Sequence, residues 1–299
     1  MVQSSDPPAL GPWPASYGAQ WRPEVIAPGA RSAHRERPTT PVISVCIAVR
    51  NRPDLLVKSV RSVLAGDFPD YEVVIVDDGS TVPVQESLAG AGLLADDRIR
   101  LVRQPPAGIS AARNTALRVA RGRYVTVLDS DDELAPDGLS RIHAALAGTG
   151  ARWVYTDYEE LTSAGSRVIR LPSFDSPRRM LWSVLTRPRL PFKHSGMSME
   201  RELLTSIGGY DEHTPIKVDV ELVLRALASG VHLAHLGHPV VRFHRHDTNI
   251  SRRRLAGLAV WYRLINTYGD SRVPGVALAV VAARAASEIG KAVVTALGR

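Results

Sequence analysis

The 299-residue sequence contains one cysteine, Cys46. That excludes an intrachain disulfide and any zinc cluster built from cysteines, and it fits a reducing compartment. No run of about 18 uninterrupted apolar residues occurs, the length a membrane-spanning helix needs. The nearest stretch, PGVALAVVAARAASEIGKAVVTALG, is broken by Arg284, Glu288 and Lys291. It reads as an amphipathic helix that packs on the domain or touches a membrane surface. The first 40 residues carry no apolar stretch of the kind a secretory leader needs, so a cytoplasmic protein is expected, with peripheral contact at the inner face of the cell membrane left open.

What is present is a basic but ordinary chain. Lys and Arg number 37 against 30 acids, a formal net charge of +7, with 44% hydrophobic residues. This suits a soluble globular fold and a partner that is anionic. The basic residues are dispersed and no reader motif accompanies them, which argues against nucleic acid. The run Arg252-Arg253-Arg254 fits phosphate or anionic lipid as well as a solvated face.

Residues 1–40 are rich in Pro, Gly, Ala and Arg and read as an irregular arm. From residue 42 the texture changes. VISVCIAV is a buried strand by length and β-branching, and Pro53 sits in the first turn of the helix DLLVKSVRSVLAG. YEVVIVDD and RIRLVRQ follow as strands, then the helix SAARNTALRVARG and the strand RYVTVLD. Apolar strands alternating with helices predict an α/β fold with a mostly parallel sheet, whose ligands gather at the carboxyl ends of the strands. Those ends carry Asn51 and Arg52, Asp77 and Asp78, and Asp129 to Asp132.

VLDSDDEL, residues 127–134, sets four acids within five positions of a basic chain, where they repel unless a cation lies between them. Asp129 and Asp131 at a strand end offer hard oxygen ligands to Mg²⁺ or Mn²⁺ and leave coordination positions for phosphate. Asp77 and Asp78 open a DDGS turn and serve either its geometry or a nucleotide base. Asp219, at the start of the helix VDVELVLRALASG, is a dipole-favoured acid or a general base, with Glu221 as a second polar partner. His232, His235 and His238 lack a rigid spacing for zinc, whereas His244 and His246 share one face of a strand-like run.

Taken in series, ISVCIAVRNRPDLLVKSVRSVL, YEVVIVDDGS, GISAARNTALRVARGRYVTVLDSDDEL, IGGYDE, VDVELVLRALASG and RHDTNIS resemble the family 2 glycosyltransferases of the GT-A fold. The resemblance implies a Rossmann-like domain over 41–251, with a nucleotide-binding half at 41–135 and an acceptor half at 136–251, followed by a helical extension at 252–299. It implies inverting transfer from a nucleotide-diphosphosugar to a glycan, lipid-linked sugar or small-molecule acceptor, assisted by Mn²⁺ or Mg²⁺. Ala48, Asn51, Arg52, Asp77 or Asp78, Arg113, Asp129 and Ser130 then fall at the nucleotide-sugar site. Asp131, Asp129 and His246 fall at the metal, and Asp219 is the catalytic base. The segment around Trp182, Phe192, Lys193 and His194 would border the acceptor.

Two positions depart from the family pattern. No aromatic residue precedes Asn51, and Val218 stands where an acid usually precedes the base. A non-catalytic sugar-nucleotide or glycan-binding module on the same fold is therefore the alternative reading.

Overall fold

A computed structural model describes residues 24–28, 40–162, 165–244 and 256–269, with isolated positions between 275 and 286. Ten strands form one sheet. In chain order they are β1 (Glu24–Pro28), β2 (Ile43–Val49), β3 (Tyr71–Asp78), β4 (Ile99–Gln104), β5 (Tyr124–Val127), β6 (Glu133–Leu134), β7 (Trp153–Thr162), β8 (Gly165–Ile169), β9 (Ser198–Glu200) and β10 (Ala234–His244). The helices are α1 (Pro53–Leu64), α2 (Val84–Gly90), α3 (Ile109–Val119), α4 (Gly138–Thr149), α5 (Pro177–Thr186), α6 (Arg201–Ser206), α7 (Val218–Ala228) and α8 (Ala256–Tyr268).

Across the sheet the strands run β1-β4-β3-β2-β5-β9-β7-β10-β6, with β8 hairpinned onto β7. β4, β3, β2 and β5 are mutually parallel, and β7 pairs parallel with β10. The chain runs outward from β2 through β3 to β4, then crosses back to place β5 on the other side of β2. That reversal opens a crevice beyond the carboxyl ends of β2 and β5. Register aligns the ends, since Val49 lies opposite Asp77 and Asp77 opposite Arg103.

Period-two alternation divides the apolar side chains between two cores. Ile43, Val45 and Ile47 with Val73 and Ile75 pack against α1, α2 and α4. Cys46, Val74, Val76 and Val102 face the other way, onto α3 and, further along, α5, α6, α7 and α8. Both faces are covered, so the strands are apolar throughout rather than alternating with polar residues.

One expectation changes. The arm at 1–40 is not irregular throughout, because Glu24–Pro28 pairs antiparallel with β4, whose outer edge offers hydrogen-bonding groups to a neighbouring segment. The Pro- and Arg-rich stretch after residue 170 contains α5. Ser176 Oγ caps its first turn by accepting from the Arg179 N–H, and Met180, Leu181, Val184 and Leu185 are buried.

One turn near the crevice constrains its sequence strongly. Gly79 has φ +64°, and a Cβ there would lie 2.5 Å from Pro106 Cδ and 2.7 Å from its nitrogen. The Gly79→Ala variant is expected to lose about 2–4 kcal/mol, combining left-handed strain with overpacking. A lower urea midpoint at unchanged slope would show it.

Candidate active site

The carboxyl edge of β2, β3 and β5 is built from interlocking turns. Asn51, itself at φ 56°, donates its backbone N–H to Ser80 Oγ (2.9 Å) and accepts from the Thr81 N–H (2.8 Å). It thus ties the end of β2 to the turn after β3. Asp77 is 1% exposed. Its oxygens accept from the N–H groups of Ser80 (2.9 Å) and Val84 (3.4 Å) and from Arg103 (3.2 Å). Of the two acids expected to read a base, Asp77 therefore holds the DDGS turn and the start of α2.

Asp78 is also buried. It accepts from Gln104 Nε2 (2.7 Å) and from the N–H groups of Ala107 (2.8 Å) and Gly108 (2.9 Å). Burial raises its carboxyl above the usual range, and these three bonds oppose the rise. Asp78 thereby fixes the loop that enters α3. One turn into α3, Arg113 extends toward β5 and meets Asp129 Oδ1 at 2.9 Å. Ala48, half-buried in β2, and Arg113 share a small cavity with Tyr210 and Cys46.

The acidic turn after β5 is closed by the Asp132 N–H donating to the Asp129 carbonyl at 3.0 Å. Each candidate metal carboxylate carries an arginine: Arg113 on Asp129, and Arg52 on Asp131 at 2.5 Å. Burial disfavours the Asp129 charge, but Arg113 and Lys193 outweigh it and hold the carboxyl below its usual range. Ser130 is buried within the turn. Asp132 is 1% exposed, and its carboxyl has Lys193 and the Ser195 side chain as neighbours. Burial, opposed by Lys193 and reinforced by Asp129 and Asp131, pushes it up to about 7.

Asp219 lies in the first turn of α7, where the helix dipole favours a negative charge. Its carboxylate and that of Asp129 both act on the buried Tyr210 hydroxyl, so the candidate base and the acidic turn share one neighbour. Glu221, two residues on, does not face the crevice. It binds Arg225 (2.9 Å) and the Tyr268 hydroxyl of α8 (2.8 Å), so it secures α8 on α7. Lys217 adds to that contact, its ammonium lying over the Trp261 ring.

The histidines separate. His232 bonds the Phe174 carbonyl, His235 bonds Asp157 at 2.7 Å, and His238 lies 3.4 Å from Asp137. His244 reaches Glu133 Oε1 at 2.8 Å, so β10 ends beside the acidic turn. His246, expected at the metal, lies outside the described residues, as do Arg252 to Arg254. Among the described residues no three His, Cys, Asp or Glu side chains gather as a metal-binding group. The carboxylates that could meet a cation at this turn are Asp129 and Asp131, each already paired with an arginine, with Asp132 adjacent. They fit Mg²⁺ or Mn²⁺, which take one or two carboxylates and complete their shells with water and phosphate.

Sequence reasoning missed how closely Lys193, His194 and Ser195 approach this turn. The Asp129 N–H donates to Ser195 Oγ (3.2 Å), and Lys193 Nζ lies 3.5 Å from Asp132 Oδ2. His194 Nε2 lies 3.1 Å from the Tyr210 hydroxyl, while its Nδ1 has no partner. Burial, with Arg113 adding, keeps this imidazole well below its usual pKa and hence neutral. Phe192 is core, and Trp182 packs against that core half-buried.

The family described as "Glycosyl transferase family 2" matches residues 44–202, more than half of the chain. The chain belongs to glycosyltransferase family 2. It is 30% identical over 222 residues to the succinoglycan biosynthesis protein ExoO of Rhizobium meliloti, covering 71% of this chain and 63% of ExoO. Among solved structures, S. aureus TarS 1–349 in complex with UDP-GlcNAc superposes with a TM-score of 0.62 at 16% identity, over 83% of this chain and 72% of that one. The mannosyltransferase PcManGT from Pyrobaculum calidifontis, in complex with GDP-Man and Mn²⁺, gives 0.59 at 20% identity, over 87% and 79%. The fold of this family 2 chain is accordingly GT-A. The alignments span 20%, 63% and 19% of the length of three curated relatives.

Proposed function

We propose that this chain is an inverting sugar transferase, moving a glycosyl group from a nucleotide-diphosphosugar to an acceptor hydroxyl with Mn²⁺ or Mg²⁺ held by Asp131 and Asp129. The observation that carries this reading is convergence at one sheet edge. Arg52 after β2, Arg113 from α3 and the acidic turn after β5 meet there as two arginine–carboxylate pairs, and Asp219 and Asp129 both act on the Tyr210 hydroxyl. Arginines suit the donor's phosphates, and the carboxylates suit the cation that accompanies them. The bound cation would supply charge neutralisation of the leaving diphosphate.

The chain's own residues do the rest. Asn51 and Asp78 hold the turns that shape the nucleotide end. Arg52 and Arg113 orient the diphosphate by fork-like contacts. Asp219 takes the proton of the acceptor hydroxyl as its oxygen bonds to the anomeric carbon. The bond from that carbon to the diphosphate oxygen breaks on the opposite face, so configuration inverts. Asp219 serves as a base without the acidic neighbour that Val218 replaces. Alignment of the two oxygens and electrostatic support of the leaving group supply most of the acceleration.

The names of ExoO and of the O-antigen biosynthesis protein RfbC of Myxococcus xanthus support a place in polysaccharide biosynthesis, with a growing glycan or lipid-linked sugar as acceptor. Among the described residues no helix is long and apolar enough to cross a membrane. We place the reaction on the cytoplasmic side, with residues beyond α8 as the segment that would touch a membrane.

The test is a thermal-shift screen of UDP, GDP, CDP and dTDP, with and without Mn²⁺, followed by labelled-sugar release from the matching donor. One nucleotide is expected to raise Tm in a Mn²⁺-dependent way, because binding to the folded state alone stabilises it by mass action. A protein whose Tm none of them moves would refute the donor site. Binding without sugar transfer to any acceptor would favour the non-catalytic alternative.

A further inference from the structure

Lys193 stands apart from the motifs that carry the family resemblance, yet it is the ammonium nearest the acidic turn. No other lysine lies between Lys58 and Lys217. β9 runs antiparallel beside β5, and the segment just before β9 follows β5 to its end. Gly196 donates to the Val127 carbonyl at 2.7 Å, and the Val127 N–H donates to Met197 at 2.9 Å. Ser195 then meets the Asp129 N–H. This ladder puts Lys193 against the acids by backbone register rather than by a flexible reach.

The position is held on two sides and uncommitted on the third. Nζ lies 3.5 Å from the centroid of the Phe243 ring and 3.5 Å from Asp132 Oδ2. The second distance is an ion pair but too long for a good hydrogen bond. Among the described residues Lys193 donates no hydrogen bond, and its side chain keeps 19% of its exposure. The Asp132 carboxyl it pairs with is fully buried, with the Ser195 side chain as a further neighbour. An ammonium with free donors beside Asp129 and Asp131 matches a phosphate oxygen delivered to the same carboxylates.

We propose that Lys193 is a phosphate-binding residue of the donor site, donating to an oxygen of the leaving diphosphate, with Asp132 anchoring its ammonium in place. The inference rests on the donor reading above and moves Lys193 from the acceptor border to the leaving group. It also answers a difficulty of the site. Arg52 and Arg113 are already paired with the metal carboxylates, so a third cation helps to balance a diphosphate that arrives with its own charge.

The test uses the full chain. Titration calorimetry with UDP, GDP, CDP and dTDP in Mn²⁺ identifies the diphosphate that binds, and Mn²⁺ affinity is read separately by electron paramagnetic resonance without nucleotide. Lys193→Met is expected to weaken the diphosphate by about 10- to 100-fold, the loss of one charge-assisted hydrogen bond, while leaving Mn²⁺ affinity unchanged. Lys193→Arg is expected to recover most of the loss. Unchanged diphosphate affinity overturns the proposal. So does a fall in Mn²⁺ affinity that matches the loss of diphosphate, since that is the signature of a collapsed acidic turn.

A second measurement needs no variant. With wild-type protein, the diphosphate plus Mn²⁺ should slow acetylation of Lys193 by acetic anhydride, read by mass spectrometry, while Lys58 reacts as before. Equal rates with and without ligand overturn the proposal. A wild type that binds none of UDP, GDP, CDP and dTDP sinks the donor reading itself, a result distinct from either of these.

Discussion

The Asp219→Asn variant is expected to bind nucleotide diphosphate and Mn²⁺ as the wild type does and to transfer sugar about 10²- to 10⁴-fold more slowly, the range that one general base contributes. Asparagine keeps the shape of the side chain and most of its hydrogen bonding, so α7 should fold unchanged. What it removes is the capacity to accept the acceptor's proton. The site makes the expectation specific, because Asp219 lies in the first turn of α7, on a different element from the arginines and acids of the two pairs. It can therefore be deleted as a base without disturbing the two arginine–carboxylate pairs. Single-turnover transfer with labelled donor, alongside calorimetry, separates the two effects. Full-rate transfer by the variant would dismiss Asp219 as the base. Loss of nucleotide binding would place it in the donor site instead.

The same helix shows how far a sequence can be read. α7 is legible because its apolar residues and Asp219 form one contiguous pattern, and β2, β3 and β5 are legible because strands buried on both faces are apolar throughout. Their ends are known once the strands are, so Asn51, Arg52 and the acidic turn could be named in advance. The helices α2 and α4 have no such contrast with their surroundings. α5 hides within a stretch of prolines and arginines, although Ser176 and Pro177 are a start signal in retrospect. β1 has no local signal at all, since EVIAP becomes a strand only by pairing with β4.

In the site, the same divide separates local from non-local information. The acids lie together in sequence, and their roles differ for reasons of placement. Asp77 closes a turn because the Ser80 and Val84 N–H groups converge on it. Asp78 does the same for the Gly108 loop. Asp132 is separated from Asp131 by one bond along the chain, yet it points inward while Asp131 reaches Arg52. Lys193 to Ser195 come to the turn through the pairing of β9 with β5, some 70 residues apart in sequence, and no motif of either segment announces it. Tyr210 arrives by a third route, its backbone N–H and carbonyl both bound to Asn114 of α3.

Asp131→Asn is expected to abolish the Mn²⁺ dependence of nucleotide binding and to leave the fold intact. The carboxylate is half of the proposed two-carboxylate donor set, and an amide oxygen is a far weaker ligand for a hard cation. The fold should tolerate the change because Asp131 bonds to Arg52 at the crevice and takes no part in the backbone bond that closes its turn, which joins Asp132 to Asp129. Replacing it also frees Arg52, whose guanidinium then binds the donor's phosphates without competition from that carboxylate. Two effects of opposite sign follow. Metal-free affinity for the diphosphate should hold or rise, while the gain on adding Mn²⁺ disappears, and transfer falls with it. Calorimetry with and without Mn²⁺ measures both. A variant that still gains affinity from Mn²⁺ as the wild type does would move the metal off Asp131. A variant that loses metal-free binding as well would mean that Asp131 orders Arg52 for the phosphate rather than competing for it.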